Sequence, residues 1–254
     1  MSALPVVALH GFAGHAESWD AVRASLTGHH LNAITLFGHD SAKPPGHLVA
    51  FEDEVARVAA AIRSLGEPVR LCGYSMGGRI ALGVLARAPE LVVSAVLVGA
   101  HAGLTSDRER NERAAADEMW ARVLRDEGMA VFAEKWQSQP LFATQSNLDA
   151  QALARQSRIR LRHDAGSLAL AMTSLGLAAM PSYWDALGEV RVPIDFVVGA
   201  LDAKFAALAA RMNERLGRGL GRVLSIADAG HNVLLERPDG LASIIAAPRK
   251  APEQ

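Results

Sequence analysis

Val69-Arg70-Leu71-Cys72-Gly73-Tyr74-Ser75-Met76-Gly77-Gly78-Arg79-Ile80-Ala81-Leu82 is the stretch that decides the fold. An apolar run enters Gly-x-Ser-x-Gly, and a helical pattern leaves it. A strand, this pentapeptide and a helix in succession make a nucleophile elbow. The turn is tight and its backbone strained, so both flanks call for residues without side chains. The strain lifts Ser75 clear of the sheet, where a base can reach it.

Working outward, Val197-Val198-Gly199-Ala200-Leu201-Asp202 places a carboxylate just past the end of an apolar strand. Arg222-Val223-Leu224-Ser225-Ile226 is a further strand pattern, and His231 follows it in Gly230-His231-Asn232. Ser, Asp, His is the chain order used by α/β-hydrolases. His231 is expected to take the Ser75 proton, and Asp202 to hold the imidazole in the right tautomer. Nearer the N-terminus, Pro5-Val6-Val7-Ala8-Leu9 runs into His10-Gly11-Phe12. In this architecture an oxyanion hole uses the amide after the nucleophile and one from the first such loop, which points to Met76 and Phe12. His10 itself is expected to shape that loop.

The chain has 254 residues, half of them hydrophobic, with 26 Lys/Arg against 27 Asp/Glu. A net charge of −1 gives no electrostatic case for nucleic acid or an anionic membrane. The single cysteine, Cys72, cannot form an internal disulfide and reads as a small buried residue of the strand before the elbow. No apolar run approaches the length of a membrane span, and the N-terminus enters a core strand almost at once. A cytoplasmic enzyme without signal peptide, metal or cofactor is the expectation; oligomeric state is left open.

Strand runs at Val6–Leu9, Ala33–Leu36, Val69–Gly73, Val93–Gly99, Ile194–Gly199 and Val223–Ile226 alternate with helical patterns at Glu52–Ser64, Met76–Ala86, Phe205–Leu216 and Val233–Ala246. That alternation predicts an α/β fold, a mostly parallel sheet flanked by helices. Residues 248–254 read as a frayed tail. Between Gly99 and Ile194 no strand pattern occurs, and a structureless loop of that length is implausible. Helical spacing in Met119, Trp120, Val123 and Leu124, and again in Leu168, Leu170, Ala171 and Leu175, predicts a helical cap instead. The expected division is a core of residues 1–103 and 185–254, with a cap of 104–184 over the carboxyl edge of the sheet, where open α/β sheets bind ligands.

Arginines gather near the elbow and in the cap: Arg79, Arg108, Arg110, Arg113, Arg158, Arg160 and Arg162. Guanidinium forks bind carboxylates bidentately, which suits an anionic substrate. Residues 101–180 also hold ten acidic and ten basic side chains, so solvated helix faces account for the same pattern.

The chain resembles the 2-succinyl-6-hydroxy-2,4-cyclohexadiene-1-carboxylate synthase family of menaquinone biosynthesis over nearly its whole length. The resemblance rests on Leu9-His10-Gly11-Phe12-Ala13-Gly14 with Trp19, on Tyr74-Ser75-Met76-Gly77-Gly78-Arg79, and on His101-x-Gly103-Leu104 with Arg110 and Arg113. Trp136-Gln137-Ser138-Gln139-Pro140-Leu141-Phe142, Pro181-Ser182-Tyr183-Trp184, Asp202-x-Lys204-Phe205 and Gly230-His231-Asn232 complete it. It implies an α/β-hydrolase fold and a lyase that eliminates pyruvate from 2-succinyl-5-enolpyruvyl-6-hydroxy-3-cyclohexene-1-carboxylate. Ser75 would act as a base, with Tyr74, Arg79, Arg113, Trp136 and one of Arg158, Arg160 and Arg162 (Arg160 for preference) contacting a small carboxylate substrate. The family commonly carries Leu-Pro-Gly-His-Gly-x-Ser after the second strand. Here Leu36-Phe37-Gly38-His39-Asp40-Ser41 stands, followed by Lys43-Pro44-Pro45, and Asp40 is expected to bring negative charge to the border of the site. Read without the resemblance, the triad suits a carboxylester or C–C bond hydrolase with Ser75 as nucleophile equally well.

Overall fold

The computed structural model describes residues 4–40, 50–247 and 249. Its elements run β1 (Val6–Leu9), α1 (Asp20–Ser25), β2 (Leu31–Ile34), α2 (Phe51–Arg63), β3 (Val69–Tyr74), α3 (Met76–Arg87) and β4 (Val92–Val98). The helices α4 (Asp107–Arg122), α5 (Gly128–Gln137), α6 (Ala150–Leu161) and α7 (Ala165–Ser174) follow. Then come α8 (Ala186–Glu189), β5 (Ile194–Gly199), α9 (Ala203–Arg215), β6 (Gly221–Ile226), α10 (Val233–Glu236) and α11 (Pro238–Ala246). The six strands form one sheet in the order β2-β1-β3-β4-β5-β6, parallel throughout. The chain winds outward from β1 in one direction and then in the other. The β1/β3 boundary is therefore the switch point, where ligands of such sheets bind.

Side chains alternate across the strands, as a pleat requires. Val7, Leu9, Leu71, Leu97 and Phe196 face α2, α3, α8 and α9. Val6, Ala8, Cys72, Val96 and Val197 face α1, α10 and α11. Burial on both faces explains why the strands read as continuous apolar runs.

Several expected boundaries are corrected, among them the last strand, which begins at Gly221 rather than Val223 because Ile194 of β5 pairs with Gly221. The second strand begins two residues before the expected Ala33, because β1 pairs in the register Val6↔Leu31 to Leu9↔Ile34. Beyond Ile34 the backbone leaves the ladder: Leu36 N donates to His10 Nε2 at 3.0 Å, and Thr35 O accepts from Arg57. The single helix expected over Val233–Ala246 is two helices, α10 and α11, with Pro238 opening the second. Proline has no N–H for the preceding turn, but its fixed φ suits a first helical position.

The 104–184 segment is helical, as its spacing predicts. A π turn at Val123–Glu127 joins α4 to α5, and a 3-10 stretch spans Pro140–Asn147. Phe132, Leu124, Leu168 and Met172 pack on Ala13, which ties these helices to the loop after β1. Arg110 fastens the two ends of the insertion by donating to Leu104 O, Ala178 O and Met180 O at 2.9–3.0 Å. Lys43-Pro44-Pro45 and most of the expected frayed tail lie outside the described residues. Arg249 is the exception: its guanidinium donates to Leu220 O at 2.9 Å and pairs with buried Asp195 at 3.3 Å.

Candidate active site

Ser75 sits between β3 and α3 with φ 50° and ψ −106°, a left-handed conformation that costs a non-glycine residue about 1–3 kcal/mol. The flanking glycines are required by contact. A Cβ on Gly73 would lie 2.5 Å from Gly77 O, and one on Gly77 would lie 2.6 Å from His10 O. Ser75 N donates to Val98 O at 2.8 Å, which fixes the turn to the neighbouring strand.

Asp202 ends the turn after β5 and does two things. Its Oδ1 accepts from Phe205 N at 3.3 Å and caps α9, so that helix starts two residues before the expected Phe205. Its Oδ2 lies 2.7 Å from His231 Nδ1. The imidazole Nε2 lies 3.2 Å from Ser75 Oγ. With Nδ1–H donated to a carboxylate, Nε2 is the basic nitrogen and the serine hydroxyl donates to it. Gly99 leaves room for the ring, since a Cβ there would be 2.8 Å from His231 Cε1. Phe205 packs on the imidazole with ring centroids 4.3 Å apart.

The loop carrying Phe12 is held from below by two buried histidines. His10 Nε2 accepts from Leu36 N at 3.0 Å, and its Nδ1 lies 2.8 Å from Gly11 O. His39 Nε2 accepts from Ala13 N at 3.1 Å. His10 thus shapes the loop, as expected. Met76 is the first residue of α3, so its amide has no acceptor within the helix. Met76 follows Ser75 directly, and Phe12 lines the cleft into which Ser75 opens.

Above them opens a cleft of about 690 Å³. Of the expected contact residues, Phe12, Tyr74, Ser75, Arg79, Arg113, Trp136 and His231 line it. Arg160 does not; it lines a neighbouring cavity with Tyr74 and Phe142. Asp40 is exposed and lines neither cavity, which corrects the expectation that it charges the border of the site. The departure from the family pattern at Phe37–Asp40 leaves His39 in place as a support of the loop after β1.

The cleft wall carries more cationic than acidic side chains. Arg79 is buried, donates to Leu175 O at 2.8 Å, and has no carboxylate in ion-pair range among the described residues. Burial lowers its pKa, yet a guanidinium stays protonated at neutral pH. Arg113 pairs with buried Asp117 at 2.7 Å. Lys204 adds a third cation at the wall, and Glu109 is the acidic residue lining the same space. His101 is neutral there: burial, Arg79 and Lys204 push its pKa down to about 4. Its Nδ1 accepts from Gly103 N at 2.9 Å, so the ring proton resides on Nε2.

Several contributors escape a reading of the sequence. Asp117 is legible only as an i,i+4 partner of Arg113. Glu236 is buried, and its carboxylate accepts from Gly230 N at 2.8 Å and Asn232 N at 3.2 Å, clamping both neighbours of His231. Nothing in the local pattern marks it. Among the described residues no group of three His, Cys, Asp or Glu is placed to hold a metal ion, and no helix is long and apolar enough to cross a membrane.

Comparison with known proteins agrees with this geometry. The alpha/beta hydrolase family model matches residues 6–244. The 2-succinyl-6-hydroxy-2,4-cyclohexadiene-1-carboxylate synthase of Salmonella agona (strain SL483) is 31% identical over 244 residues, covering 95% of this chain and 92% of its own. A Bacillus subtilis (strain 168) protein provisionally given the same name is 32% identical, covering 95% and 88%. The solved structure of MenH from S. aureus superposes with a TM-score of 0.90 at 25% identity, covering 95% of this chain and 91% of that one. With likeness of this extent, the chain belongs to the alpha/beta hydrolase family and, within it, to the 2-succinyl-6-hydroxy-2,4-cyclohexadiene-1-carboxylate synthases.

Proposed function

We propose that the protein eliminates pyruvate from 2-succinyl-5-enolpyruvyl-6-hydroxy-3-cyclohexene-1-carboxylate, giving 2-succinyl-6-hydroxy-2,4-cyclohexadiene-1-carboxylate, with Ser75 as the base. The observation that carries this is Arg79, a buried guanidinium one helical turn from the serine, with no carboxylate in ion-pair range among the described residues. A substrate with three carboxylates supplies counter-ions for Arg79 and Lys204, and a second one for Arg113 beside Asp117. The 104–184 helices act as the cap that roofs the cleft, over a core of 1–103 and 185–254.

The chemistry balances as follows. His231 Nε2 takes the Ser75 hydroxyl proton, and Asp202 steadies the imidazolium. Ser75 Oγ then removes the proton from the ring carbon next to the succinyl ketone. The electron pair collects on the ketone oxygen, where the Phe12 and Met76 amides stabilise it; such donors contribute about 3–4 kcal/mol each in well-studied cases. The pair returns through the ring double bond and expels the enolpyruvyl oxygen, leaving the conjugated diene. The departing enolpyruvate takes a proton on carbon, which the His231 imidazolium can supply, and becomes pyruvate. No acyl-enzyme forms.

Loss of substrate absorbance and release of pyruvate, followed in parallel for wild type and Ser75→Ala, test the proposal. Rapid, serine-dependent, stoichiometric pyruvate release is expected. Folded wild-type protein that releases none, but acylates Ser75 with a slow ester, would establish the hydrolase reading instead. Arg79→Ala should raise KM by roughly 10- to 150-fold with kcat much less affected, the loss of one charged hydrogen bond. An unchanged KM would show that Arg79 serves only Leu175 O. Arg113→Ala is the less clean variant, because it strands the buried Asp117 carboxylate.

A further inference from the structure

His231 sits on a loop between β6 and α10, yet a base must hold its place to within about half an ångström to work well. That loop is fixed from two sides. On one side stands the turn after β5, which bears Asp202. Leu201 N donates to Ala229 O at 2.9 Å. Gly199 lets the two segments meet main chain to main chain, since a Cβ there would collide with the carbonyls of Ala229 and Gly230. On the other side stands α10. Glu236 Oε2 accepts from Gly230 N at 2.8 Å, and Oε1 accepts from Asn232 N at 3.2 Å. The β5 turn sets how far the loop stands from Asp202. The Glu236 carboxylate holds the residue before His231 and the residue after it, and so governs the direction in which the imidazole leaves the backbone.

A buried carboxylate is an expensive way to hold a loop. Glu236 is 5% exposed, and among the described residues no cation lies in ion-pair range of its side chain. Its sequence neighbour Arg237 pairs with Asp228 at 3.5 Å and gives Glu236 a hydrogen bond at the backbone carbonyl alone. Burying a charge without a counter-ion costs stability unless hydrogen bonds offset it. What the carboxylate offers in return is two equivalent acceptor oxygens on one rigid fork, which no neutral side chain of its size supplies. Both oxygens are used, and both on amides that flank His231.

We propose that Glu236 is a positioning residue for the base: its carboxylate, bridging the amides of residues 230 and 232, keeps His231 Nδ1 on Asp202 and Nε2 on Ser75 Oγ while the proton moves between them. The proposal rests on the Ser75–His231 relay of the proposed elimination. Glu236 lines neither cavity of the site, so its effect falls on the rate of proton transfer and not on the binding of substrate.

Glu236→Gln tests it, because that side chain keeps the size and one acceptor oxygen but turns an NH2 group toward the other amide. Per folded enzyme, kcat for pyruvate release should fall about 10- to 100-fold, the scale of a small misplacement of a reacting group, with KM changed by less than about threefold. A second readout needs no natural substrate: phosphonylation of Ser75 by an alkyl fluorophosphonate. There Ser75 Oγ bonds to phosphorus, the P–F bond breaks, fluoride leaves and His231 takes the hydroxyl proton. That rate should fall by a similar factor. Leu241→Ala, a cavity in buried α11, is the control for stability alone. It should lower the melting temperature and leave both rates per folded enzyme within about twofold. Should Glu236→Gln fail to fold, judged by its thermal melt, Glu236→Asp decides. It keeps the charge but is one methylene too short to span both amides, and the same fall in kcat with KM held is expected. Glu236→Gln protein that melts lower yet keeps both rates would reduce the carboxylate to a structural part and overturn the proposal. So would a raised KM with kcat held. A wild type that releases no pyruvate, with phosphonylation still slowed by Glu236→Gln, would sink the proposed reaction and leave the positioning role standing. A wild type inert in both assays has no working base to position and ends both.

Discussion

Ser75→Ala should lower the rate of pyruvate release by roughly a thousandfold or more, and His231→Ala should do the same. The double variant should be little worse than either. Ser75 Oγ and His231 Nε2 are 3.2 Å apart and act as one base, so removing either partner removes the whole function. What rate remains would come from the two amides and the cationic cleft, which neither substitution touches. A double variant whose loss equals the product of the single losses would show two independent groups and end the relay mechanism. Asp202→Asn needs more care in interpretation, because that side chain also caps α9 and the variant would disturb a helix start as well as a tautomer.

A steep loss of stability in acid is the second large effect expected. His10, His39 and His163 form a buried chain, with ring centroids 4.9 Å and 5.6 Å apart. Burial is the main cause that lowers all three, pushing His10 to about 3 and His163 to about 4, with His39 also well below its ordinary value. Neighbouring His15 adds to the effect. In the unfolded chain each titrates near 6.5. Below that pH the unfolded state binds protons that the folded state refuses, so stability falls as pH falls, down to the folded values. Each histidine contributes at most about 1.4 kcal/mol per pH unit in that window. Asp117, whose pKa burial raises, acts in the opposite sense. Urea midpoints measured from pH 7 to pH 4.5 at constant ionic strength should drop sharply below about pH 6. His163→Phe should flatten the slope by about one proton, since it removes one of the three depressed imidazoles. A stability profile level down to pH 4.5 would mean that the cluster takes up protons without unfolding.

The elbow, the order of the triad and the parallel sheet were legible because each depends on local pattern. Gly73 and Gly77 must lack side chains wherever the turn is used, and Asp202 and His231 follow strands whose apolar runs are unmistakable. Arg160 shows where legibility stops. Its neighbours Arg158 and Arg162 offered the same charge in the same stretch, and only the packing of α6 shows that Arg160 alone of the three is buried, beside Tyr74 and Phe142. Glu236 was unreadable for a related reason: its carboxylate serves backbone amides of residues 230 and 232, and amides carry no sequence identity. The β2 boundary failed because pairing with a short β1, rather than the apolarity of Leu36, decides where the ladder stops.

The contact between Gly77 and the β1 end has a wider consequence. The two chain segments bearing the Phe12 and Met76 amides meet there main chain against main chain, with no side chain between them. The gap proposed to cradle negative charge is therefore gauged by peptide units alone. Changes of residue in the 104–184 helices can resize or recharge the space above without altering that gauge. A frame of this kind lets one lineage trade substrates, and even trade hydrolysis for elimination, while its charge-stabilising centre stays dimensionally constant.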